Sequence, residues 1–445
     1  MAKFRHRAVA LALIIALLSL SFAVVGQAQD DCNFEEETIR FGGIAPMSAP
    51  GAVVGGIAMS WAFNQAADDI NAECGIEIDG KNYRLEVLLG DSEGNAERAQ
   101  AVAERLILEN NVDGMVGVYH SAVGLATMGI MQENGIPTVF SEPWNDNVSA
   151  SGIIETVDGG PRFPVDGIDY IFRIAPSSSQ VASPILEWFV ALGVEDVIII
   201  AENTDYGQPA AAGERALFEG AGMTVEQLNI ELGTEDFVPI LSRIQARPNP
   251  ADAVRILVTG ETSFNLTQQM AELGIAPTED TICVTNQIAF QSEQFWATVP
   301  DGNYCAFTRV GAIPSLFGDL AAELNERHVG VFNDLIASFA MEAYDSTWIL
   351  ADAMERAGTY TDGPAIVEAL ESTDIDLSQG HYYFKYGSHN TEFEDGDPEW
   401  MWHHWPDPIV AIIQYFEPNQ SALDAAVVWP TVYQTHDTTL FVPGR

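Results

Sequence analysis

The chain has 445 residues, which is enough for two domains with substantial cores. Acidic residues outnumber basic ones by 64 to 19, so the formal net charge is −45. A surface this negative repels nucleic acid and anionic lipid, and we expect neither as a partner. The acidic residues are dispersed along the chain, which is typical of an exported protein in a salty medium and equally of ordinary lineage bias.

The first residues have the pattern of a secretory signal peptide. Lys3, Arg5 and Arg7 precede an apolar stretch at residues 8–25, and the small residues Gly26 and Ala28 follow at the −3 and −1 positions of a cleavage site. We predict that residues 1–28 are a signal peptide, so that the mature chain is exported to the periplasm or the extracellular space. Because the apolar core is rather long, an uncleaved membrane anchor is the alternative. We expect no membrane insertion of the mature chain.

Short apolar runs then alternate with segments of helical periodicity. Strands are predicted at 39–45, 83–89, 114–118 and 136–140, with helices between them at 59–72, 96–109 and 122–133. This alternation indicates an α/β fold with a parallel sheet that is covered on both faces. In such sheets ligands bind beyond the carboxyl ends of the strands.

A Gly/Pro-rich stretch at 152–167, predicted to be a surface loop, separates this series from a second one. A strand is predicted at 170–174, directly after this loop. The second series then has predicted strands at 196–201, 223–228, 254–259, 281–285 and 304–308, and helices at 180–192, 209–221, 238–247 and 263–273. A long amphipathic helix is predicted at 331–357 and a shorter one at 363–371. The segment 380–432, rich in Trp and Tyr, is predicted to be strand-like. Two α/β series therefore stand in tandem.

Four cysteines in an exported chain indicate disulfides. Cys32 precedes the first strand and Cys74 follows the first helix, at the same end of one βα unit. Cys283 and Cys305 each begin an apolar run. We therefore favour the two local bridges Cys32–Cys74 and Cys283–Cys305 among the three possible pairings. A zinc site is disfavoured because no Cys-x-x-Cys spacing is present.

The most specific local signal is the junction at Ser121, where a buried strand is followed at once by a helix. The predicted N-cap at Ser121 leaves free backbone N–H groups, and the helix dipole there favours an anion. A ligand carboxylate would fit against Ser121, Ala122 and Val123. The alternative is that Ser121 only caps the helix.

Two further strand-end turns carry aromatic residues. Tyr206 follows the strand at 196–201, and Glu142 and Trp144 follow the strand at 136–140. Each has a structural alternative, because Tyr-Gly also forms ordinary turns and a loop Trp often serves only in packing.

Catalytic and metal-binding patterns are weak. Gly90 to Gly94 matches the nucleophile-elbow pattern around Ser92, but the helix begins too late and Asp91 and Glu93 would oppose an oxyanion. The adjacent His403 and His404 would leave a strand on opposite faces. The acidic turn at 394–397 lacks a full calcium-loop spacing. We expect no catalytic residue, no metal site and no cofactor.

Together these residues resemble the type I periplasmic solute-binding proteins of ABC importers, in the branched-chain amino acid and amide-binding family. The matching motifs follow one another in order along nearly the whole mature chain. They lie at 41–48, 69–72, 87–91, 116–121, 135–140, 172–173, 205–207, 343–357 and 380–384. Each motif alone is loose, whereas their order and spacing are specific.

The resemblance implies two Rossmann-like lobes, joined by three crossovers near 174–177, 309–312 and 376–380, which close on a ligand by hinge motion. One lobe would comprise residues 29–175 and 311–378, and the other 176–310 and 379–445. It also implies a monomer that is not an enzyme and that delivers a small solute to an ABC transporter permease. The competing classes are an esterase centred on Ser92 and a ligand-sensing domain.

The resemblance places the ligand between the strand ends of both lobes. The implied ligand-binding residues are Tyr119, Ser121, Ala122, Val123, Ser141, Glu142, Pro143, Trp144, Tyr206, Glu261 and Asn286. Amino acid binders of the family usually have a carboxylate near position 286 for the ligand ammonium, and this chain has an amide. Trp144 is also bulkier than usual, so an amino acid, an amide, a urea-like solute and an aromatic acid all stay open. For an ammonium ligand, Glu142 and Glu261 are the predicted counter-charges, with Asp205 a weaker choice.

Overall fold

The computed structural model describes residues 32–149, 165–260, 262–286, 292, 295–301 and 304–437. The predicted signal peptide and most of the predicted loop at 152–167 lie outside these ranges. Within them, none of the helices combines the length and the apolar character that a bilayer crossing requires.

The first sheet has six strands in the order β2-β3-β1-β4-β5-β6. All neighbours are parallel except β2 and β3, which form an antiparallel pair. The strands are β1 (Phe34–Ala45), β2 (Ile76–Ile78), β3 (Lys81–Asp91), β4 (Gly114–Gly117), β5 (Thr138–Phe140) and β6 (Ile171–Arg173).

The second sheet has seven strands in the order β15-β14-β11-β10-β9-β7-β8. The five strands from β8 to β11 are parallel, and β14 and β15 add an antiparallel edge. The strands are β7 (Asp196–Glu202), β8 (Thr224–Ile230), β9 (Ala253–Leu257), β10 (Ile282–Thr285), β11 (Ala306–Val310), β14 (Val410–Gln414) and β15 (Ala426–Trp429). Between β11 and β14, the short strands β12 (Asp374–Leu377) and β13 (Gly380–Tyr383) form a separate antiparallel pair.

Helices cover both faces of each sheet, which explains why the central strands are apolar runs without alternation. The helices are α1 (Val53–Ala72), α2 (Ala96–Glu104), α3 (Ser121–Glu133), α4 (Ser178–Leu192), α5 (Gly207–Gly220), α6 (Val238–Gln245), α7 (Thr262–Glu272), α8 (Phe295–Thr298), α9 (Asp319–Phe332), α10 (Ser338–Ala357) and α11 (Gly363–Glu371). The first sheet is packed between α1 with α10 on one face and α2 with α3 on the other. The second is packed between α6 with α7 and α4 with α5.

The described chain passes between the two sheets three times. The first passage lies between β6 and α4, and the second between β11 and α9. The third lies between Trp405 and β14, because Tyr382, Phe384 and Trp405 still belong to the core of the first sheet. It therefore comes later in the chain than the predicted position at 376–380. The motif at 380–384 was predicted to belong to the second lobe, whereas Tyr382 and Phe384 pack in the core of the first.

Two helix predictions are wrong in their bounds. Helix α1 begins at Val53 and not at residue 59, because Gly55 and Gly56 are helical and permit close packing. The predicted helix at 331–357 is two helices: Asn333, with a φ of 53°, ends α9 in the left-handed conformation, and α10 begins at Ser338. The amphipathic pattern continued across this break, which hid it.

The structure contains both local disulfides. Cys32 is bonded to Cys74 and Cys283 to Cys305, with Cα–Cα distances of 5.2 and 4.8 Å. The first ties the start of β1 to the end of α1. The second joins the neighbouring strands β10 and β11 near their amino ends, away from the strand ends that face the other lobe.

Candidate functional site

A cleft lies between the carboxyl ends of the strands of the two sheets. The turns after β4 and β5 line it from the first lobe, and the turns after β7, β9 and β10 from the second. It encloses a cavity of about 80 Å³. Since one water occupies roughly 10–15 Å³ by the same measure, the cavity has room for a solute of several heavy atoms.

The amino end of α3 forms part of the first-lobe wall. The backbone N–H groups of Ser121 and Ala122 make no hydrogen bond with any described group. The next two, those of Val123 and Gly124, both donate to the carbonyl of His120. Unsatisfied amides at a helix start are suited to an anion. Burial lowers the pKa of His120 to about 4, so its ring is neutral at pH 7 and adds no positive charge.

The structure corrects the role of Ser121. The N-cap is His120, whose side chain makes no cap hydrogen bond, and Ser121 is the first helical residue. Its hydroxyl accepts a hydrogen bond of 3.1 Å from the backbone N–H of Asn145. The Ser121 hydrogen is therefore still available to donate to a ligand.

The turn after β5 carries Trp144 and is held in place by a buried arginine. Arg173 donates to the carbonyls of Pro143 and Asn145 at 3.1 and 2.6 Å. On its other side, Ser178 at the start of α4 donates to the carbonyl of Trp144 from both its backbone N–H and its hydroxyl. The backbone of the turn that carries Trp144 is therefore fixed by contacts from two elements.

Glu142 and Glu342 form a buried pair of carboxyl groups behind the cleft. Glu142 lines the cavity, whereas Glu342, on α10, is fully buried. Burial raises the pKa of Glu142 to about 7, and burial together with Glu142 raises that of Glu342 well above its usual range. Two like charges this close cannot both be ionised at neutral pH, so the pair retains at least one proton.

The second-lobe wall is built from Tyr206 and Asn286 over a buried ion pair. Arg255 and Glu214, both almost fully buried, are joined by two short hydrogen bonds of 2.7 and 2.9 Å. Arg255 also donates to Oδ1 of Asn286 at 2.6 Å, and Nδ2 of Asn286 donates to the Tyr206 hydroxyl at 2.9 Å. Burial raises the pKa of Tyr206, so it keeps its proton.

A third carboxyl group in the cleft, Glu202 at the end of β7, is occupied by its own lobe. Its oxygens accept from the backbone N–H and hydroxyl of Thr259 and from the hydroxyl of Thr204, at 2.8 to 3.0 Å. Burial raises its pKa despite these bonds. Glu202 thus ties the turn after β9 to that after β7.

The two lobes touch across the cleft. The rings of Trp144 and Tyr206 meet edge to face, with centroids 6.1 Å apart. The side chain of Asn145 donates to the backbone carbonyl of Asp205. These contacts close one end of the cleft and bring the two aromatic side chains into one wall.

Seven of the predicted ligand residues line the cavity, namely Tyr119, Ser121, Ala122, Glu142, Trp144, Tyr206 and Asn286. Three do not: Val123 and Ser141 are fully buried, with Ser141 bonded to Ser346, and Pro143 faces away, against Gly124. Glu261 lies outside the described residues. Whether the lining residues contact a ligand stays a prediction.

Sequence reasoning missed several residues that line the cavity: Gly94, His120, Glu202, Thr204, Leu232, Val258 and Thr259. Most of them follow directly after a strand, so the strand-end rule that identified Tyr206 was capable of finding them too. Thr259 was predicted to be inside a strand, because β9 ends two residues earlier than its apolar run suggests.

The weaker patterns have structural roles. The Ser92 hydroxyl, 1% exposed, accepts a hydrogen bond from the N–H of Gly94 within its own turn. Lys385 binds the carboxylates of Glu394 and Asp397 in the acidic turn. His403 bonds to Glu371, and His404 to Arg173 and Gln180, so the two rings diverge. Among the described residues, no cluster of His, Cys, Asp and Glu has the geometry to hold a metal ion.

The two-lobed fold with its inter-lobe cleft agrees with a comparison against protein families. The family model for periplasmic binding proteins matches residues 38–393, well over half of the chain. The chain belongs to this family. The fold and the family membership predicted from the sequence motifs are thereby confirmed.

Among curated proteins, the chain is similar to the Leu/Ile/Val-binding protein homolog 6 of Brucella abortus, with 25% identity over 242 residues. That alignment covers 54% of this chain and 56% of the relative, so it spans little more than half the length of either. An amino acid binding protein of Pseudomonas aeruginosa is also 25% identical, over 71% of this chain and 78% of its own.

Solved structures share the fold at low identity. A branched-chain amino acid transporter substrate-binding protein from Streptococcus pneumoniae, in complex with isoleucine, has a TM-score of 0.68 at 20% identity and covers 87% of this chain and 98% of its own. A solute-binding protein of an ABC transporter from Rhodopseudomonas palustris HaA2, in complex with p-hydroxybenzoic acid, has a TM-score of 0.69 at 18% identity. That match covers 86% of this chain and 94% of the R. palustris chain.

Proposed function

We propose that this chain is an exported solute-binding protein that captures a small polar solute between its lobes and delivers it to an ABC transporter permease. The observation that carries the proposal is the cleft itself, where the strand-end turns of two separate sheets enclose one cavity. A solute that contacts both walls favours the closed arrangement of the lobes, because it binds that state with more contacts than the open one.

The proposal includes the chemistry of the first-lobe wall. The free amides of Ser121 and Ala122 and the Ser121 hydroxyl are donors that a carboxylate or carbonyl oxygen would accept. The curated relatives are named as binders of amino acids, and one solved neighbour holds an aromatic acid. Both ligand classes present such an oxygen. The proposal also places the protein in the periplasm or the extracellular space and assigns it no catalytic activity.

A thermal-shift screen with amino acids, amides and aromatic acids tests the capture function. A ligand that binds only the native state raises its stability by RT ln(1 + [L]/Kd), so a match appears as a concentration-dependent rise in melting temperature. Ala122→Trp fills the cleft and should abolish that rise. Ala221→Trp, at an exposed position outside the cleft, is the matched control and should retain it.

Two outcomes would contradict the proposal. The first is a ligand response that Ala122→Trp leaves unchanged, since the solute would then bind elsewhere. The second is turnover of generic ester substrates that Ser92→Ala abolishes, because this would establish an esterase. Cells that lack the protein should lose high-affinity uptake of the identified solute if delivery to a permease is correct.

A further inference from the structure

The orientation of the Asn286 amide is fixed from behind the cleft. Its Oδ1 faces Arg255 at 2.6 Å and the hydroxyl of Thr308 at 3.0 Å. An arginine can only donate hydrogen bonds, so the atom opposite it must be the oxygen. The amide NH₂ group therefore points the other way, toward Tyr206 and the cavity that Asn286 lines.

Tyr206 continues this directed arrangement. Its hydroxyl accepts a hydrogen bond from Asn286 at 2.9 Å, which leaves its own hydrogen to donate. The side chain is 8% exposed and lines the cavity, so a bound solute is the nearest available acceptor. The buried Trp144 indole N–H, in the same wall, lies near the carboxyl group of Glu142, whose pKa it lowers against the effect of burial.

The carboxyl groups of the cleft are not hydrogen-bond acceptors for the donors Asn286 and Tyr206 of the second-lobe wall. Glu202 is saturated by Thr204 and Thr259. Glu142 faces Glu342, and burial raises its pKa to about 7, so a large share of it is protonated at neutral pH and most of it is protonated at lower pH. Among these carboxyl groups, the cavity-lining oxygen without a hydrogen-bond partner is Oε2 of Glu142, in the first-lobe wall. A ligand ammonium would therefore find an acceptor there, but would meet only donors at Tyr206 and Asn286 in the second-lobe wall.

We infer that Arg255, acting through Asn286, makes the second-lobe wall a hydrogen-bond donor surface, and that the cleft binds a carboxylic acid in preference to the same acid with an α-amino group. The carboxylate lies between the start of α3 and the Tyr206 hydroxyl, and an apolar body or ring rests on Trp144. The inference rests on the proposed function and names the substrate class of that same cleft. Arg255 is a positioning residue, since it contacts Asn286 and not the cavity.

Calorimetry with pairs of compounds that differ only in the amino group tests the inference. Suitable pairs are 4-methylpentanoate with leucine, and 3-phenylpropanoate with phenylalanine. In at least one pair the acid should bind ten times more tightly than its amino twin. Tighter binding of the amino compound in both pairs would overturn the inference while leaving the proposed function intact. Absence of binding by every acid, amino acid and amide tested would instead remove the proposed function.

Variants test the role of the second-lobe wall. The measured quantity is the affinity for the acid divided by the affinity for its amino counterpart, because a general loss of structure lowers both affinities together. Asn286→Asp replaces the amide donor by an acceptor at the same size and should shift the ratio of acid to amino compound at least tenfold toward the latter. The double variant Glu214→Gln/Arg255→Gln removes the ion pair without stranding a charge and should shift the ratio in the same direction. An unchanged ratio in either variant contradicts the inference.

Tyr206→Phe provides a second measurement that does not disturb the buried ion pair. It deletes only the donor hydroxyl and should lower the affinity for the acid about tenfold while leaving the ring against Trp144. An affinity equal to that of the parent would show that the second-lobe donors do not meet the solute, and would overturn the inference even if Asn286→Asp failed to fold.

Discussion

At the scale of single residues, the paired carboxyls of Glu142 and Glu342 make the stability of the fold dependent on pH. Burial raises the pKa of Glu142 from its ordinary value of 4.5 to about 7. The folded state then binds more protons than the unfolded state between these values, so stability is fully present below about pH 4.5 and is lost as the pH rises through about 7. The loss is on the order of 3 kcal/mol.

We therefore expect Glu142→Gln to flatten the dependence of stability on pH between 5 and 8, and to be more stable than the parent at the upper end. Urea unfolding at several pH values measures the effect. Glu187→Gln, an exposed position on α4, is the control and should follow the parent curve. A Glu142→Gln curve that also follows the parent would mean that Glu142 is already ionised in the folded protein.

The residue scale also shows where sequence reasoning ends. The strand-end rule placed Trp144 and Tyr206 at the cleft, because that rule depends only on local order along the chain. The partner of Glu142 lies 200 positions away on α10, and the orientation of Asn286 depends on Arg255. A lone arginine in the apolar strand Ala253–Leu257 was the available signal. That signal could not be interpreted from the sequence, because the contact of Arg255 with Asn286 depends on which strand lies beside β9.

At the scale of elements, α1 approaches the turn after β1 closely because it has glycine where the two meet. A Cβ added at Gly56 would lie 2.1 Å from the carbonyl oxygen of Pro46, which is backbone and cannot move aside cheaply. Gly56→Ala should therefore destabilise the protein by roughly 1–3 kcal/mol, as overpacking does elsewhere. Chemical denaturation with a two-state fit measures the change.

The matched control is Gly213→Ala in the middle of α5, where an added Cβ meets nothing within 4 Å. Alanine is the better helix former, so this variant should gain about 0.5–1 kcal/mol. If both variants are destabilised equally, the cost at Gly56 does not come from contact with Pro46.

The disulfides allow a second prediction at this scale. Removing either bridge should cost about 2–4 kcal/mol, mainly because it frees the unfolded chain. Cys32–Cys74 spans 42 residues and Cys283–Cys305 spans 22, so the first loss should be larger by about 0.5 kcal/mol on the chain-entropy model. Unfolding of the Cys→Ser pairs in urea checks the order. The reverse order would show that local packing outweighs loop length.

Element prediction succeeded where periodicity and turn residues agree. The alternation of strands with α2, α3, α5 and α11 follows from short apolar runs and clear helix ends. It failed at Asn333, because a left-handed residue breaks a helix without interrupting its apolar face. It also failed in 380–432, where the aromatic residues Tyr382, Phe384 and Trp405 pack in the core of the first lobe and most of the segment is irregular.

At the scale of the whole molecule, charge is the dominant feature. Most described cations are already paired, as in Lys81–Glu35, Arg98–Glu93 and Arg215–Glu219, yet these exposed pairs contribute only about 0–1 kcal/mol each. A net charge of −45 leaves a large uncompensated repulsion that destabilises the compact state. Salt therefore weakens more repulsion than attraction, and its net effect on the folded state should be stabilising.

The melting temperature should rise as salt increases from about 10 mM to 1 M, while the Debye length falls from about 30 to 3 Å. Calorimetry with chloride salts measures this, and a chaotropic anion series distinguishes screening from general salt effects. A melting temperature that is flat or falls over this range would show that the acidic excess has no role in stability.

The three passages between the sheets have a consequence for synthesis. The core of the first lobe contains both Ile39 and Trp405, so the lobe cannot be completed until nearly the whole polypeptide has left the ribosome. Contacts this distant in sequence also form slowly, because the intervening chain must be closed into a loop first. If the chain is exported as proposed, this order gives it time: while its last tenth is still being translated, the two ends of that core have not yet met, and the unfolded chain can pass through an export channel.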